Sequence, residues 1–409
     1  MRITADEVER YGVRPGDLLV CEGGEPGRCA VWRGDREMYL QKALHRVRPR
    51  GGSSPDYLRW WLQDASNAGR LDHLLTGSTI KHLPGRQLAR IEVALPPVAE
   101  QHRIAERLDE IDVRRASAAS HLDVARRIVE RFRRSVLDAA CSGRLTADRR
   151  ETDPDFTPDS PASWRSTNLG ELSDSIRGGS SEVPVADITD FPVLRSSSVR
   201  PLYVNYDDVR YLSPAQSQKA VNFIEDGDLL ITRLNGNLEY VGNAAIIDGV
   251  GDRRLQYPDR LFRLRLQEPE YARYVELFFA SSRARRQVQA ASRSAAGHQR
   301  ISISDPEGFL IDLPPLDEQH EIVRRADALL ATAERLTTQI EQVGSTLDRV
   351  GRGSLAKAFR GDLVPTEAAM AEVEGREYES AGQLLTRVST TARRRSSKAL
   401  VPEPSRRSV

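Results

Sequence analysis

The sequence predicts an α+β chain: two tandem globular units, each followed by a long helix, the two helices pairing with each other as a coiled coil. Three observations carry this prediction. An internal repeat spans most of the 409 residues, each copy ends in a sustained heptad pattern, and the part before each heptad run shows short apolar strands with turn punctuation. The length alone asks for two or three domains.

The repeat is anchored at residues 91–104 (IEVALPPVAEQHRI) and 309–322 (FLIDLPPLDEQHEI), which share Leu-Pro-Pro-x-x-Glu-Gln-His-x-Ile at an offset of 218. The same offset aligns Ser142-Gly143-Arg144-Leu145 with Arg360-Gly361-Asp362-Leu363. Upstream, Gly16-Asp17-Leu18-Leu19-Val20 matches Gly227-Asp228-Leu229-Leu230-Ile231 at an offset of 211, and Tyr57-Leu-Arg-Trp60 echoes Tyr271-Ala-Arg-Tyr274. Anchors that keep their order and nearly their spacing indicate duplication of a unit of about 215 residues, with small insertions or deletions in its first part.

A long helix is expected after each Leu-Pro-Pro. The first seam reads Ile104, Leu108, Ile111, Arg115, Ala118, Leu122, Ala125, Val129, Phe132, Val136; the second reads Ile322, Ala326, Leu329, Ala333, Leu336, Ile340, Val343, Leu347, Val350, Ser354. Nine of ten positions are apolar in each. Alternating steps of four and three over more than four heptads argue for a coiled coil. Pro96-Pro97 and Pro314-Pro315 set the starts, and Glu100 and Glu318 sit in the first turn, where the helix dipole favours an acid. Gly143 and Gly361 stand where a C-terminal cap belongs. Each seam is roughly 50 Å long at 1.5 Å per residue. The shared register makes pairing of the two seams the simplest burial. Arg115, the polar seam residue, either fixes register or snorkels outward.

The preceding parts read as mixed. Leu229–Thr232 and Ala244–Ile247 are expected strands, followed by the turns Asn235-Gly236-Asn237 and Asp248-Gly249, and a helical pattern covers 271–289. The expected organisation is a first globular domain at 1–95, a helix region at 96–150, a Pro/Asp-rich linker at 151–162, a second globular domain at 163–312, a second helix region at 313–366, and a basic, disordered tail at 367–409.

The chemistry is as informative for what it lacks. The net charge is +1, so any nucleic-acid surface must be local. Only five of the 60 cationic residues are lysine, a bias expected of a GC-rich genome, so not every arginine is functional. No Gly precedes a Lys, which excludes a phosphate-cradling P-loop. No acidic residue stands two before any Lys, which removes the usual metal-dependent nuclease core. No Asn/Asp-Pro-Pro-aromatic stretch of an amino-methylating site occurs, and no G-x-S-x-G, G-x-G-x-x-G or H-E-x-x-H. Cys21, Cys29 and Cys141 form no disulfide or zinc pattern. No apolar run is long enough to span a membrane and the first 20 residues contain no secretory block, so a cytoplasmic, non-catalytic, metal-free protein is expected.

These features together resemble the DNA-specificity (S) subunit family of type I restriction–modification systems. The resemblance rests on the doubled Leu-Pro-Pro-x-x-Glu-Gln-x-x-Ile at 95–104 and 313–322, the helix after each, the repeated Gly-Asp-Leu-Leu strand, and Trp164 with Leu169-Gly170-Glu171, which looks like the opening of a target recognition domain. It covers nearly the whole chain up to about residue 366. It implies two tandem target recognition domains, each reading one half of a split sequence in double-stranded DNA, and an antiparallel coiled coil whose length sets the spacing between half-sites. It also implies partners: two modification (methyltransferase) subunits that bind S-adenosylmethionine and methylate an adenine in each half-site, and restriction (translocase/nuclease) subunits that use ATP and magnesium. No cofactor is expected on this chain. One departure stands out. Trp164 precedes Gly227 by 63 residues, whereas Gly16 has 15 residues before it, so the first domain is expected to be short by roughly 48 residues. A coiled-coil scaffold that binds modification subunits without defining a split target is therefore the alternative. An undetected nuclease or methylase is a third.

Candidate DNA-binding residues follow from local charge. Residues 277–304 hold Arg283, Arg285, Arg286, Arg293 and Arg300 and, up to Ser304, no acid. The matching stretch of the first unit holds Arg70, Lys81, His82 and Arg86. Both read equally as solvated helix faces in an arginine-rich chain. Arg233, Asn235 and Asn237 follow a strand and suit guanine and adenine edges, or form a plain hairpin turn. His298, Gln299 and Arg300 either read bases or cap a helix. Glu100-Gln101 and Glu318-Gln319, with the flanking prolines, are expected as helix-start and subunit-docking elements. Arg393, Arg394 and Arg395 are expected to make at most non-specific nucleic-acid contacts.

Overall fold

The computed structural model describes residues 11–41, 43–150, 163–213, 223–251, 253–295 and 298–399. The linker expected at 151–162 lies outside the described residues. The chain divides into two compact units: residues 1–123 with 341–409, and residues 124–340. This differs from the borders expected at 95/96 and 312/313. Each unit takes part of both long helices, because a helix carrying one apolar stripe is held by whatever covers each stretch of that stripe.

The first unit contains β1 (Gly12–Val13), β2 (Leu18–Cys21), β3 (Cys29–Val31), β4 (Met38–Tyr39), β5 (Leu44–Val47), α1 (Pro55–Asn67), α2 (Gly85–Leu88) and the first half of α3 (Val98–Ala140). β2 is the centre of the antiparallel sheet β3-β2-β5, and β1 pairs with β4. Leu18 and Val20 alternate inward and meet Leu62 and Ala65 of α1. The opposite side of α1 carries Tyr57 and Trp60, which pack with Ile104 and Leu108 of α3. Ser54 caps α1 by accepting a hydrogen bond from the Tyr57 amide at 3.3 Å, with Pro55 in the first turn.

The second unit contains β6 (Arg165–Asn168), α4 (Leu169–Leu172), β7 (Ser173–Gly178), β8 (Pro192–Leu194), β9 (Val199–Arg200), β10 (Tyr203–Val204), β11 (Val209–Tyr211), β12 (Leu229–Thr232), β13 (Leu234–Asn235), β14 (Ala244–Ile246), β15 (Leu261–Leu266), α5 (Ala272–Ala280), α6 (Ser282–Ala291), β16 (Arg293–Ala295), β17 (His298–Arg300), α7 (Ser304–Glu307) and β18 (Leu310–Leu313). The strands expected from the sequence are β12 and β14, and they lie in the four-stranded antiparallel sheet β14-β12-β15-β7. The helix expected over 271–289 is instead two helices. Ser281 leaves helical geometry and caps α6.

Three matched hydrogen-bond pairs establish that the units share one plan. Arg48 forks onto Asp17 at 2.6 and 2.7 Å, as Arg265 forks onto Asp228 at 2.8 and 3.0 Å. The Tyr57 hydroxyl donates to the Ala94 carbonyl at 2.6 Å, and that of Tyr274 to the Asp312 carbonyl at 2.8 Å. Gln101 donates to the Pro96 carbonyl at 2.7 Å and Gln319 to the Pro314 carbonyl at 2.8 Å. The second pair corrects the sequence echo: Tyr57 corresponds to Tyr274, not Tyr271.

The second long helix, α8 (Leu316–Arg360), is antiparallel to α3 within each unit. In the first unit Ile104 and Leu108 cluster with Leu355 and Ala358, while further along α3 Arg115 donates to the Leu347 carbonyl at 3.1 Å. In the second, Arg133 pairs with Glu334, and Val136 and Ala140 cluster with Ile322 and Ala326. The protected stripe of α3 is the heptad set read from the sequence. That of α8 departs from it. Leu336, Val343 and Val350 are 42%, 48% and 46% exposed, and Thr337, Gly344 and Gly351 take their places. A straight helix has 3.6 residues per turn and slides off a strict seven-residue repeat, so the buried face steps forward by one residue. Small residues there let Arg115 lie over Gly351, where a Cβ would come within 2.5 Å of its Cζ.

The disordered tail expected at 367–409 is corrected for its described part. Thr366 caps a helix α9 (Glu367–Glu374), which ends at the left-handed Gly375, and α10 (Ala381–Ala399) follows. The basic end of the tail drew attention from its anchors: Ala371 and Leu384 are buried, and Glu367 is buried between Arg103 and Arg376. No described helix is long and apolar enough to cross a membrane.

Candidate nucleic-acid interface

The second unit brings half of its candidate residues onto one small sheet. β17 pairs with β13 on one side and β16 on the other. The register sets Asn235 opposite Gln299, Leu234 opposite Arg300, and Arg293 opposite Arg300. Arg293 and Arg300 are exposed, and His298 and Gln299 are half-buried. A hairpin of this kind holds side chains on a rigid strand pair, as a reader of base edges requires. Asn235 and Asn237 do more than occupy a turn. Asn235 accepts from the Asn237 amide at 3.1 Å, and Asn237 accepts from the Glu239 amide at 3.0 Å, so the loop holds its own shape. Arg233 lies over the Phe262 ring and donates to the Asp259 carbonyl at 3.1 Å.

The arginine run of α6 divides by role, which corrects the reading of all three as one DNA surface. Arg283 is ion-paired with the buried Asp312. Arg285 donates to the carbonyls of Val241 at 2.7 Å and Leu238 at 2.8 Å, and its burial pushes the guanidinium below its ordinary pKa. It therefore fastens the loop that begins at Asn237. Arg286 is exposed. Local charge could not distinguish them because alternate residues of a helix face different surroundings.

The first unit carries the counterpart. Thr76 and His82 bridge as a hairpin, and His82 also bridges Gly23 just past β2, as β17 does β13 just past β12. Gly77 at the tip has φ +95°, and a Cβ there would stand 2.2 Å from the Ile80 carbonyl oxygen. Lys81, His82 and Arg86 are exposed. Arg70 lies apart from them, paired with Asp64 at 2.6 Å and over Trp61.

Sequence reasoning missed a cleft of about 410 Å³ in the second unit, lined by Arg195, Arg210 and Arg260 among others. Arg260 adjoins the loop that begins at Arg233, since its carbonyl accepts from the Arg233 amide at 2.9 Å. These arginines are far apart in the chain, so no local run marked them.

The Glu-Gln pairs stand in the first turns of the two long helices, as expected, with their side chains turned inward. Glu100, Gln101, Glu318 and Gln319 are all buried. Glu100 accepts from the Glu367 amide at 2.7 Å, clasping the segment after α8, while Gln101 accepts from the Ser54 amide at 2.9 Å. Glu318 accepts from the Thr146 hydroxyl at 2.7 Å and the Trp164 indole at 3.0 Å, clasping the segment after α3. Each helix start thus holds the chain that leaves the other helix. Among the described residues no cluster of His, Cys, Asp or Glu is suited to a metal ion.

A duplicated α+β unit with a long helix after each copy is also the fold of a solved chain from a study of assembly and conformational transition in a type I restriction–modification system. It aligns with a TM-score of 0.64 at 20% identity, covering 86% of this chain and 83% of that one. Residues 11–117 match the type I restriction modification DNA specificity domain. The specificity subunit of the type I restriction enzyme EcoKI of Escherichia coli K12 is 33% identical over 294 residues, covering 72% of this chain. This chain spans 62% of that relative's length. The StySPI specificity subunit of Salmonella potsdam is 28% identical over 360 residues, covering 87% of this chain and 76% of the relative. The chain is thus similar to the specificity subunits of type I restriction enzymes, and its residues 11–117 to their DNA specificity domain.

Proposed function

We propose that this chain is the sequence-reading subunit of a type I restriction–modification complex. In this reading it binds double-stranded DNA through both units, recognises a split target, and directs adenine methylation and cleavage by partner subunits. It performs no catalysis itself. Two modification subunits supply S-adenosylmethionine chemistry, and restriction subunits supply ATP- and magnesium-dependent translocation and cutting. The observation that supports this best is the repeated hairpin: both units place exposed basic side chains on antiparallel chain beside the Gly-Asp-Leu-Leu strand, Lys81 and His82 in the first and Arg293 and Arg300 in the second, where the half-buried amides of Asn235 and Gln299 join them.

The test is a methylome. The chain is co-expressed with a modification subunit in a host lacking adenine methylation, and N6-methyladenine is mapped. A split motif with two defined halves supports reading by both units. An assembled complex that methylates nothing favours the scaffold reading, which draws on the first unit's smaller sheet: three strands among the described residues, against four in the second.

A further inference from the structure

Within the second unit, the outward face of α3 carries charge that packing does not use. Arg127, Arg131 and Arg134 follow one another at steps of four and three, so they share one face of the helix, opposite the buried Val129 and Val136. All three are exposed, and among the described residues none has an ion-pair or hydrogen-bond partner. Other arginines of the same helix are engaged: Arg103, Arg107, Arg115 and Arg133 pair with Glu367, Glu110, Asp112 and Glu334. The nearby acids do not cancel the face. Glu130 is a single carboxylate at its edge, and Asp138, one turn past Arg134, accepts from the amide and hydroxyl of Ser282.

That contact joins the face to α6. Ser282 opens α6, and Arg286, one turn further on, is exposed. α6 ends at Ala291, and the chain enters β16 at Arg293, opposite the exposed Arg300. Exposed arginines thus follow one another from α3 through α6 to the β16–β17 hairpin. The repeat keeps part of the pattern. Arg349 and Arg352 of α8 stand 218 residues after Arg131 and Arg134 and are exposed, whereas Gly351 takes the place of the ion-paired Arg133.

We infer that the Arg127–Arg131–Arg134 face of α3 is a phosphate track for duplex DNA, holding the backbone outside the base pairs that the hairpin reads. The inference rests on the DNA-reading role proposed above. Guanidinium groups without acid partners suit phosphate oxygens, and such contacts position the duplex without carrying sequence information. Arg127 and Arg134 are about 10 Å apart along the helix at 1.5 Å per residue, and a strand advances about 3.4 Å per phosphate, so the face spans about three phosphates. Continuity with the hairpin favours DNA over an acidic protein surface, which would not require the arginines to run on to the base-reading strands.

The test compares the full chain, assembled with its modification subunits, with a variant carrying Arg127→Ala, Arg131→Ala and Arg134→Ala, and with the matching triple lysine variant. Affinity for a fluorescent duplex of mixed sequence is titrated against salt, and the methylated motif is mapped. In the alanine variant the slope of log affinity against log salt should fall by about 2.7, the share of three phosphate contacts. Tm should stay within about 1 °C, because all three residues are exposed. The methylated motif should not change, and the lysine variant should keep the slope, since a phosphate also accepts an ammonium. An unchanged slope in the alanine variant overturns the inference, as does an equal loss in the lysine variant. Failure to assemble with the modification subunits at an unchanged slope overturns it too and assigns the face to a protein partner. A changed motif overturns it because the residues would then read bases. Absence of DNA binding by the unaltered complex refutes the DNA-reading role as well, whereas an alanine variant with an unchanged slope leaves that role standing.

Discussion

Arg285 and Arg286 are adjacent and equally charged, yet the structure gives them separable effects. Arg285 makes two short hydrogen bonds to the carbonyls of Val241 and Leu238. Bonds from a charged donor contribute about 1.5–3 kcal/mol each when well made. The side chain is only half-buried, its buried Nε has no hydrogen-bond partner, and water can solvate the carbonyls once it is removed, so the net loss in Arg285→Ala is about 2 kcal/mol. For a domain of this size that is roughly 4–8 °C in Tm. Arg285→Lys should recover little, because one ammonium nitrogen lacks the two separate donor nitrogens that reach Val241 and Leu238. Arg286→Ala should leave Tm within about 1 °C, as exposed substitutions usually shift stability by under 0.5 kcal/mol. It should instead lower the slope of log affinity against log salt by about 0.9, one phosphate contact's share. Calorimetry and DNA titrations at several salt concentrations measure both quantities. An Arg285→Ala protein with an unchanged Tm and a salt slope lowered by about one would refute the assignment and return Arg285 to the DNA face.

Three further outcomes are expected. Gly→Ala within a helix ordinarily stabilises by about 0.5–1 kcal/mol. Gly353→Ala, with open space around it, should show that gain by denaturant titration, whereas Gly351→Ala should not, because Arg115 must leave the Leu347 carbonyl, and Arg115→Ala should restore the gain. Burial alone would raise the Glu367 pKa, but Arg376 and Arg103 outweigh it and hold it below the ordinary carboxylate value. The clasp is then fully stabilising above the unfolded value of about 4.3 and is lost as pH falls through the lower folded value. Melting of the first unit between pH 7 and 3 should show that loss, and Glu367→Gln should flatten it. Asp138 accepts from both the amide and hydroxyl of Ser282 at 2.8 and 2.9 Å, so Asp138→Ala should destabilise the second unit by about 1–2 kcal/mol in the same titration.

Much of this fold was legible because it is periodic or repeated. The first seam could be read residue by residue, since apolar spacing alone decides which face of α3 is covered. The second failed at Leu336, Val343 and Val350 because the choice between a strict heptad and the natural helical period depends on the small residues one step further along α8, Gly351 above all, and on Arg115 of α3 lying over it. The tail was misread because composition outvoted two anchors: Leu384 is one apolar residue in a basic stretch, and the partner of Glu367 is 264 positions away in sequence. Of the candidate interface, the strand and loop at 229–237 and the hairpin residues 293–300 could be named but not joined, since only tertiary pairing sets Asn235 against Gln299. Arg283 and Arg285 show the limit of charge as evidence, because an arginine bonded inward reads the same as one facing solvent.

The two units differ in how they are strung along the chain. The second is one continuous stretch, 124–340, whereas the first joins residues 1–123 to 341–409. On the ribosome the later unit therefore becomes complete before the earlier one, which waits for the last part of α8 and for Glu367 to emerge. Its contacts close across more than 260 positions, the slow kind in a folding sequence. A premature stop near the C-terminus should consequently damage the N-terminal unit and spare the central one, the reverse of what linear order along the gene suggests.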